Sequence, residues 1–164
     1  MDTRAGQQRG GSRGSRGRAW LPLQPGLRAA WKAADGSGTA SLFIRSGYLT
    51  TYAFLPLADA LEERESRRRI APNYEGYENP EPRDPRIRPG WFQEGWVPFA
   101  SFAEGTALLM ADHSPAEGGQ VGQVIAYTHD PDEISYVAPD WPTFLQLSLQ
   151  EITADPEEFL EIGF

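Results

Sequence analysis

Two histidines and a knot of carboxylates are the residues of this chain best suited to chemistry. His113 and His129 each close an apolar run beside an acid, Asp112 and Asp130. Such pairs can move protons or hold a metal, and they also occur as plain solvated turn residues. Asp130, Asp132 and Glu133 lie close together, but their spacing matches no calcium loop. Gly118-Gly119-Gln120-Val121-Gly122 is glycine-rich, yet it lacks the Lys and Ser/Thr of a phosphate loop and does not lead into a helix. Glycines placed this way predict a bulge or a positive-φ turn. No serine sits in a nucleophile elbow. The absence of cysteine excludes a thiol nucleophile, a thiolate metal site and a disulfide framework. Trp91, Trp96 and Trp141 could stack on a sugar or a partner, or simply cover apolar strands and a helix start. The chemistry therefore points away from an enzyme, with no catalytic, cofactor or metal residues to name.

Charge is more informative. From Trp91 to Phe164 there are thirteen Asp and Glu and no Lys or Arg. The formal net charge of −8 also hides a division. Residues 1–19 hold five Arg against Asp2 alone, and the remainder holds ten cations against twenty-two acids. An acidic body repels phosphate and attracts basic proteins. This predicts a protein-binding surface on the acidic turns, comprising Glu94, Glu104, Asp112, Glu117, Asp130, Asp132 and Glu133. The expected partner is a basic protein, with no nucleic acid bound by the folded part. No run of about 18 apolar residues is present, so no membrane span is expected. With no cysteine and no apolar leader, the chain reads as cytoplasmic.

The elements that must position these acids follow from periodicity and turn residues. Residues 1–19 are Arg/Gly-rich and read as a disordered tail. Residues 20–164 read as one domain. Pro25 opens a helix with Leu27, Ala30, Trp31 and Ala34 on one face, and Asp35-Gly36 stops it. Residues 39–44 and 48–55 are extended. A second helix over 57–69 turns Leu57 and Leu61 inward. Residues 70–89 contain five prolines and form a long loop, which Tyr74 and Tyr77 anchor. Strands follow over 96–102, 106–112, 121–128 and 133–138, linked as an antiparallel meander. Asp140 caps a helix with Phe144, Leu145, Ser148, Leu149 and Ile152 on its apolar face. A last turn spans 157–161. The expected core is Leu27, Trp31, Phe54, Leu61, Val97, Phe99, Leu108, Val124, Ile125, Val137, Phe144 and Leu145. Segregated helices and strands predict an α+β fold, with an antiparallel or mixed sheet of about four to six strands and helices on one face.

An ordered set of short motifs runs through this pattern. It begins with Leu21-Pro22, Leu27-Arg28-Ala29-Ala30-Trp31 and Asp35-Gly36. Tyr52 to Leu57 leads from a strand into a helix, and Trp96-Val97-Pro98-Phe99-Ala100 follows. Then come Leu108 to Asp112, Pro115 and Gly119-Gln120-Val121-Gly122-Gln123-Val124-Ile125. Val137-Ala138-Pro139-Asp140-Trp141-Pro142-Thr143-Phe144-Leu145 closes the set. Over residues 20–152 the chain resembles the SUKH superfamily, which includes the Smi/Knr cell-wall-assembly-regulator proteins. The resemblance implies a SUKH-like fold and a binding protein without catalytic residues. Bacterial members of that superfamily are mostly immunity proteins that neutralise toxins, many of them nucleases; fungal relatives act as regulatory scaffolds for cell-wall synthesis. An acidic body suits a cognate basic toxin, because charge complementarity speeds association.

Overall fold

The computed structural model describes residues 23–163. The expected tail over 1–19 and the opening at Trp20-Leu21-Pro22 lie outside the described residues. Helix α1 spans Pro25–Ala33, followed by strands β1 (Ser41–Ile44) and β2 (Thr51–Phe54). Helix α2 (Leu57–Ile70) runs into a short 3-10 turn, Ala71–Tyr74. Strands β3 (Trp96–Phe102), β4 (Ala107–Asp112), β5 (Gln123–Thr128) and β6 (Glu133–Ala138) come next. Helices α3 (Trp141–Ala154) and α4 (Pro156–Gly163) complete the described chain. The six strands form one sheet in chain order, every pair antiparallel. The fold is α+β, as the segregation of helices and strands predicts.

Strands β4 and β5 are buried on both faces, so they read as continuous apolar runs. Ala107, Leu109, Ala111, Val124 and Ala126 face one core, together with Leu27 and Trp31 of α1 and Trp141 and Phe144 of α3. This core is aromatic: Phe43, Phe99, Trp141 and Phe144 meet with ring centroids 5.0–6.1 Å apart. Leu108, Met110, Ile125, Tyr127 and Ile134 face the other way, against Trp96 and Ile87. Helices therefore do not do all of the covering. The loop between α2 and β3 lies on the second face, which is how a loop of that length is held.

The edge strand β1 is partly capped from α3: the Ile44 amide donates to Ser148 Oγ at 2.9 Å. Arg45, next along, reaches Ser135 Oγ on the opposite edge strand at 2.9 Å. The Asp140 carboxylate accepts from the Thr143 amide at 2.8 Å and caps α3 as expected.

Three core expectations need correction. Leu61 and Leu57 are exposed, because α2 turns Ala60 and Arg64 inward instead. The aliphatic stem of an arginine can cover apolar surface while its head group finds acids. Leu145 is 37% exposed and Leu149 60%, since α3 inserts the narrower stripe Trp141, Phe144 and Ser148. Val137 is only partly buried, at the margin of the first core. The other named core residues are buried. Strand β5 starts at Gln123, not Val121. Gly122 adopts φ +85°, and the Gln24 side chain lies where its Cβ would be, so only glycine fits there.

Candidate functional site

The predicted acidic surface divides into four places. Glu104 lies in the β3–β4 turn, and Asp130, Asp132 and Glu133 belong to or border the β5–β6 turn. These turns are neighbours: the His129 amide donates to the Thr106 carbonyl at 2.9 Å. Ala103, Glu104 and Asp130 all adopt positive φ, which tight turns demand, and the Asp130-Pro131 bond is cis. Glu104 and Asp130 are exposed, and Glu133 is half-buried. One end of the sheet thus presents three carboxylates together.

Asp132, within the same turn, is committed to internal bonds. Its Oδ1 accepts from Tyr127 Oη at 2.6 Å and from Tyr74 Oη at 3.2 Å, and contacts His129 Nδ1 at 2.8 Å. Partial burial pushes its carboxyl up, but the bonds from His129 and Tyr127 outweigh this and hold it below the usual range. Burial raises the Tyr127 hydroxyl, and its bond to Asp132 raises it further. The Arg67 guanidinium stacks 4.0 Å above the Tyr127 ring.

Glu94 is far from those turns and is neutralised from the first half of the chain. Its carboxylate lies 2.9 Å from Arg64 Nη2 and 3.6 Å from Arg68 Nε. Asp112 has no surface to offer: it is fully buried at the end of β4. Its Oδ2 accepts from Gln123 Nε2 and its Oδ1 from the Ser114 amide, both at 2.9 Å. Burial raises its pKa, and these bonds oppose the rise. Burial also lowers the neighbouring His113. His113 Nδ1 lies 3.2 Å from the Gly95 carbonyl. Glu117 is exposed in the β4–β5 loop, separate from the rest.

Residues of α2 that the charge pattern did not single out complete the acidic end. Asp59, Glu62 and Glu63 share with Glu104 the wall of a depression of about 290 Å³, in which Arg69 is the one lining cation among the described residues. Asp59, Glu62, Ser66 and Arg69 follow helical spacing, a signal present in the sequence but masked by the neighbouring run of arginines.

Among the described residues no group of three or more His, Cys, Asp or Glu is arranged to hold a metal ion. No described helix is long and apolar enough to cross a membrane.

The meander, its α1 and α3 cover and the buried Asp112–Gln123 pair coincide with the ordered motifs of the sequence. A match to the SMI1 / KNR4 family (SUKH-1) spans residues 21–147. The chain belongs to the SMI1 / KNR4 family. No curated protein matches the chain. In this SUKH-1 chain the family motifs have legible structural duties. Trp96 and Phe99 serve opposite faces of β3, and Gly122-Gln123 ends the β4–β5 loop and opens β5.

Proposed function

We propose that this SUKH-1 protein is a non-catalytic binding protein that neutralises a cognate basic toxin, of nuclease type, by direct contact. The observation that carries this reading is the sheet end where Glu104, Asp130 and Glu133 project from adjacent turns beside Asp59 and Glu62 of α2. Exposed carboxylates concentrated at one end of a fold steer a basic partner and orient it on arrival. Two acids of the original set, Asp112 and Asp132, are spent on internal bonds and are not part of this surface. Glu94 is taken up by Arg64 and Arg68.

The test is capture of partners by the purified protein, followed by association kinetics at low and high salt. Recovery of a basic toxin domain whose on-rate falls steeply with salt supports the proposal. Recovery of cell-wall synthesis components alone would assign the chain to the regulatory-scaffold class of the family instead.

A further inference from the structure

The long loop between α2 and β3 builds a second surface that the acidic end does not explain. Tyr74, Tyr77 and Trp91 come together there: Tyr74 stacks on Trp91 at 4.8 Å, and Tyr77 stands edge-on to it at 5.5 Å. They line an open groove of about 660 Å³ together with the prolines of the loop. Tyr77 is 45% exposed, a large aromatic surface left facing solvent.

The loop already recognises one arginine, its own. The Arg83 guanidinium lies 5.2 Å from the centre of the Trp91 ring. Its Nη1 donates to the carbonyls of Arg88, at 3.1 Å, and Gly90, and its Nη2 donates to Asn79 Oδ1 at 3.2 Å. Proline-rich backbone suits this, because it offers carbonyl acceptors with few competing N–H donors. Among the described residues Arg83 is also the only cation lining the groove, against Glu75, Glu78 and Glu81. With Arg83 engaged on Trp91, the rim left to a ligand is acidic and its most exposed aromatic side chain is Tyr77.

We propose that this groove docks an extended, arginine-bearing segment of a partner protein, with the arginine stacked on Tyr77 and its charge met by the glutamates of the rim. An aromatic-lined groove suits an extended chain, which loses little entropy on binding when it is already proline-stiffened. A planar guanidinium satisfies ring and carboxylate together. The same glutamates repel phosphate and so disfavour a nucleic-acid occupant. The inference rests on the chain being a binding protein. It does not rest on the partner being a toxin or on the acidic sheet end.

The probe is the acetylated, amidated peptide Gly-Pro-Pro-Arg-Pro-Pro-Gly, titrated into the full chain to about 20 mM, well above the Kd of about 1 mM expected for a single short contact. Tyr77 and Trp91 resonances should shift and saturate. Replacing the arginine by uncharged citrulline should weaken binding about 5- to 30-fold, as should Tyr77→Ala, while Tyr77→Phe retains it. Glu78→Gln should weaken binding less. Absence of saturable binding, equal binding of the citrulline peptide, or indifference to Tyr77→Ala would overturn the proposal. So would saturation of the same resonances by chitohexaose in place of the peptide, which would assign the groove to glycans. Partner capture that depends on Glu104 and Asp130 tests the toxin reading separately, so either can fail alone.

Discussion

Gln123 Nε2 donates to Asp112 Oδ2 at 2.9 Å and to the Arg86 carbonyl at 2.9 Å, so one buried amide joins two adjacent strands to the long loop. Gly119 makes room for this contact, since a Cβ there would sit 2.6 Å from the Arg86 carbonyl oxygen. Gln123→Ala takes one donor from the buried Asp112 carboxylate and one from the Arg86 carbonyl, which keeps the Ala116 amide. It should destabilise the fold by about 2–4 kcal/mol in urea unfolding. Combined with Asp112→Ala, the losses should fall short of additivity by at least about 0.5 kcal/mol. Strict additivity would mean that the pair does not act as a unit.

Asp132 makes stability depend on acid. Its folded pKa is below the unfolded value of 3.8, so its contribution is fully present above that value. The contribution is lost as pH falls through the folded pKa. Asp132→Asn should therefore flatten the acid limb of a stability profile measured from pH 6 downward. Asp112 works in the opposite sense, because its folded pKa is raised and its ionisation costs stability as pH climbs from 3.8 through that value. Superimposable profiles for wild type and Asp132→Asn would remove Asp132 from the account.

Neighbouring residues of α3 should differ sharply. Phe144 is 1% exposed and touches Phe43, Phe99 and Trp141, so Phe144→Ala should cost about 3–5 kcal/mol. Leu145 is 37% exposed, and Leu145→Ala should cost under about 1 kcal/mol. Thermal or urea unfolding of both variants decides it, and equal losses would contradict the placement of the helix face.

The acidic sheet end is tested by changing Glu104, Asp130 and Glu133 to their amides. The association rate with a basic partner should fall, and its salt dependence should shrink, because exposed charges act over about 8 Å at physiological ionic strength. Glu94→Gln serves as the comparison: it disturbs the ion pairs with Arg64 and Arg68 and should leave association near wild type. Wild-type rate and salt dependence in the triple variant would move the interface elsewhere, with the aromatic groove of the long loop as the next candidate.

Much of the fold was legible because its signals are local. Glycine-rich turns separate apolar runs of strand length, Asp140 marks a helix start, and Pro25 with Asp35-Gly36 brackets α1. The face of α2 was not legible. Leu57 and Leu61 offer an apolar stripe, but the helix lies where Arg64 can reach Glu94 and Arg67 can cover Tyr127. Which stripe faces inward depends on acceptors about 30 and 60 positions away, which no local periodicity encodes.

By itself the sequence determined the elements, their antiparallel order, the family and an excess of carboxylate in the second half. Those rest on hydrophobic period, turn chemistry and composition, which are properties of short segments. Only the tertiary structure decided which carboxylates are free. Asp112, Asp132 and Glu94 look alike as strand-end or turn acids, yet one is buried against Gln123, one is held by Tyr127 and one is paired with two arginines. The charge available to a partner depends on what each acid meets in space, and those partners arrive through long-range packing.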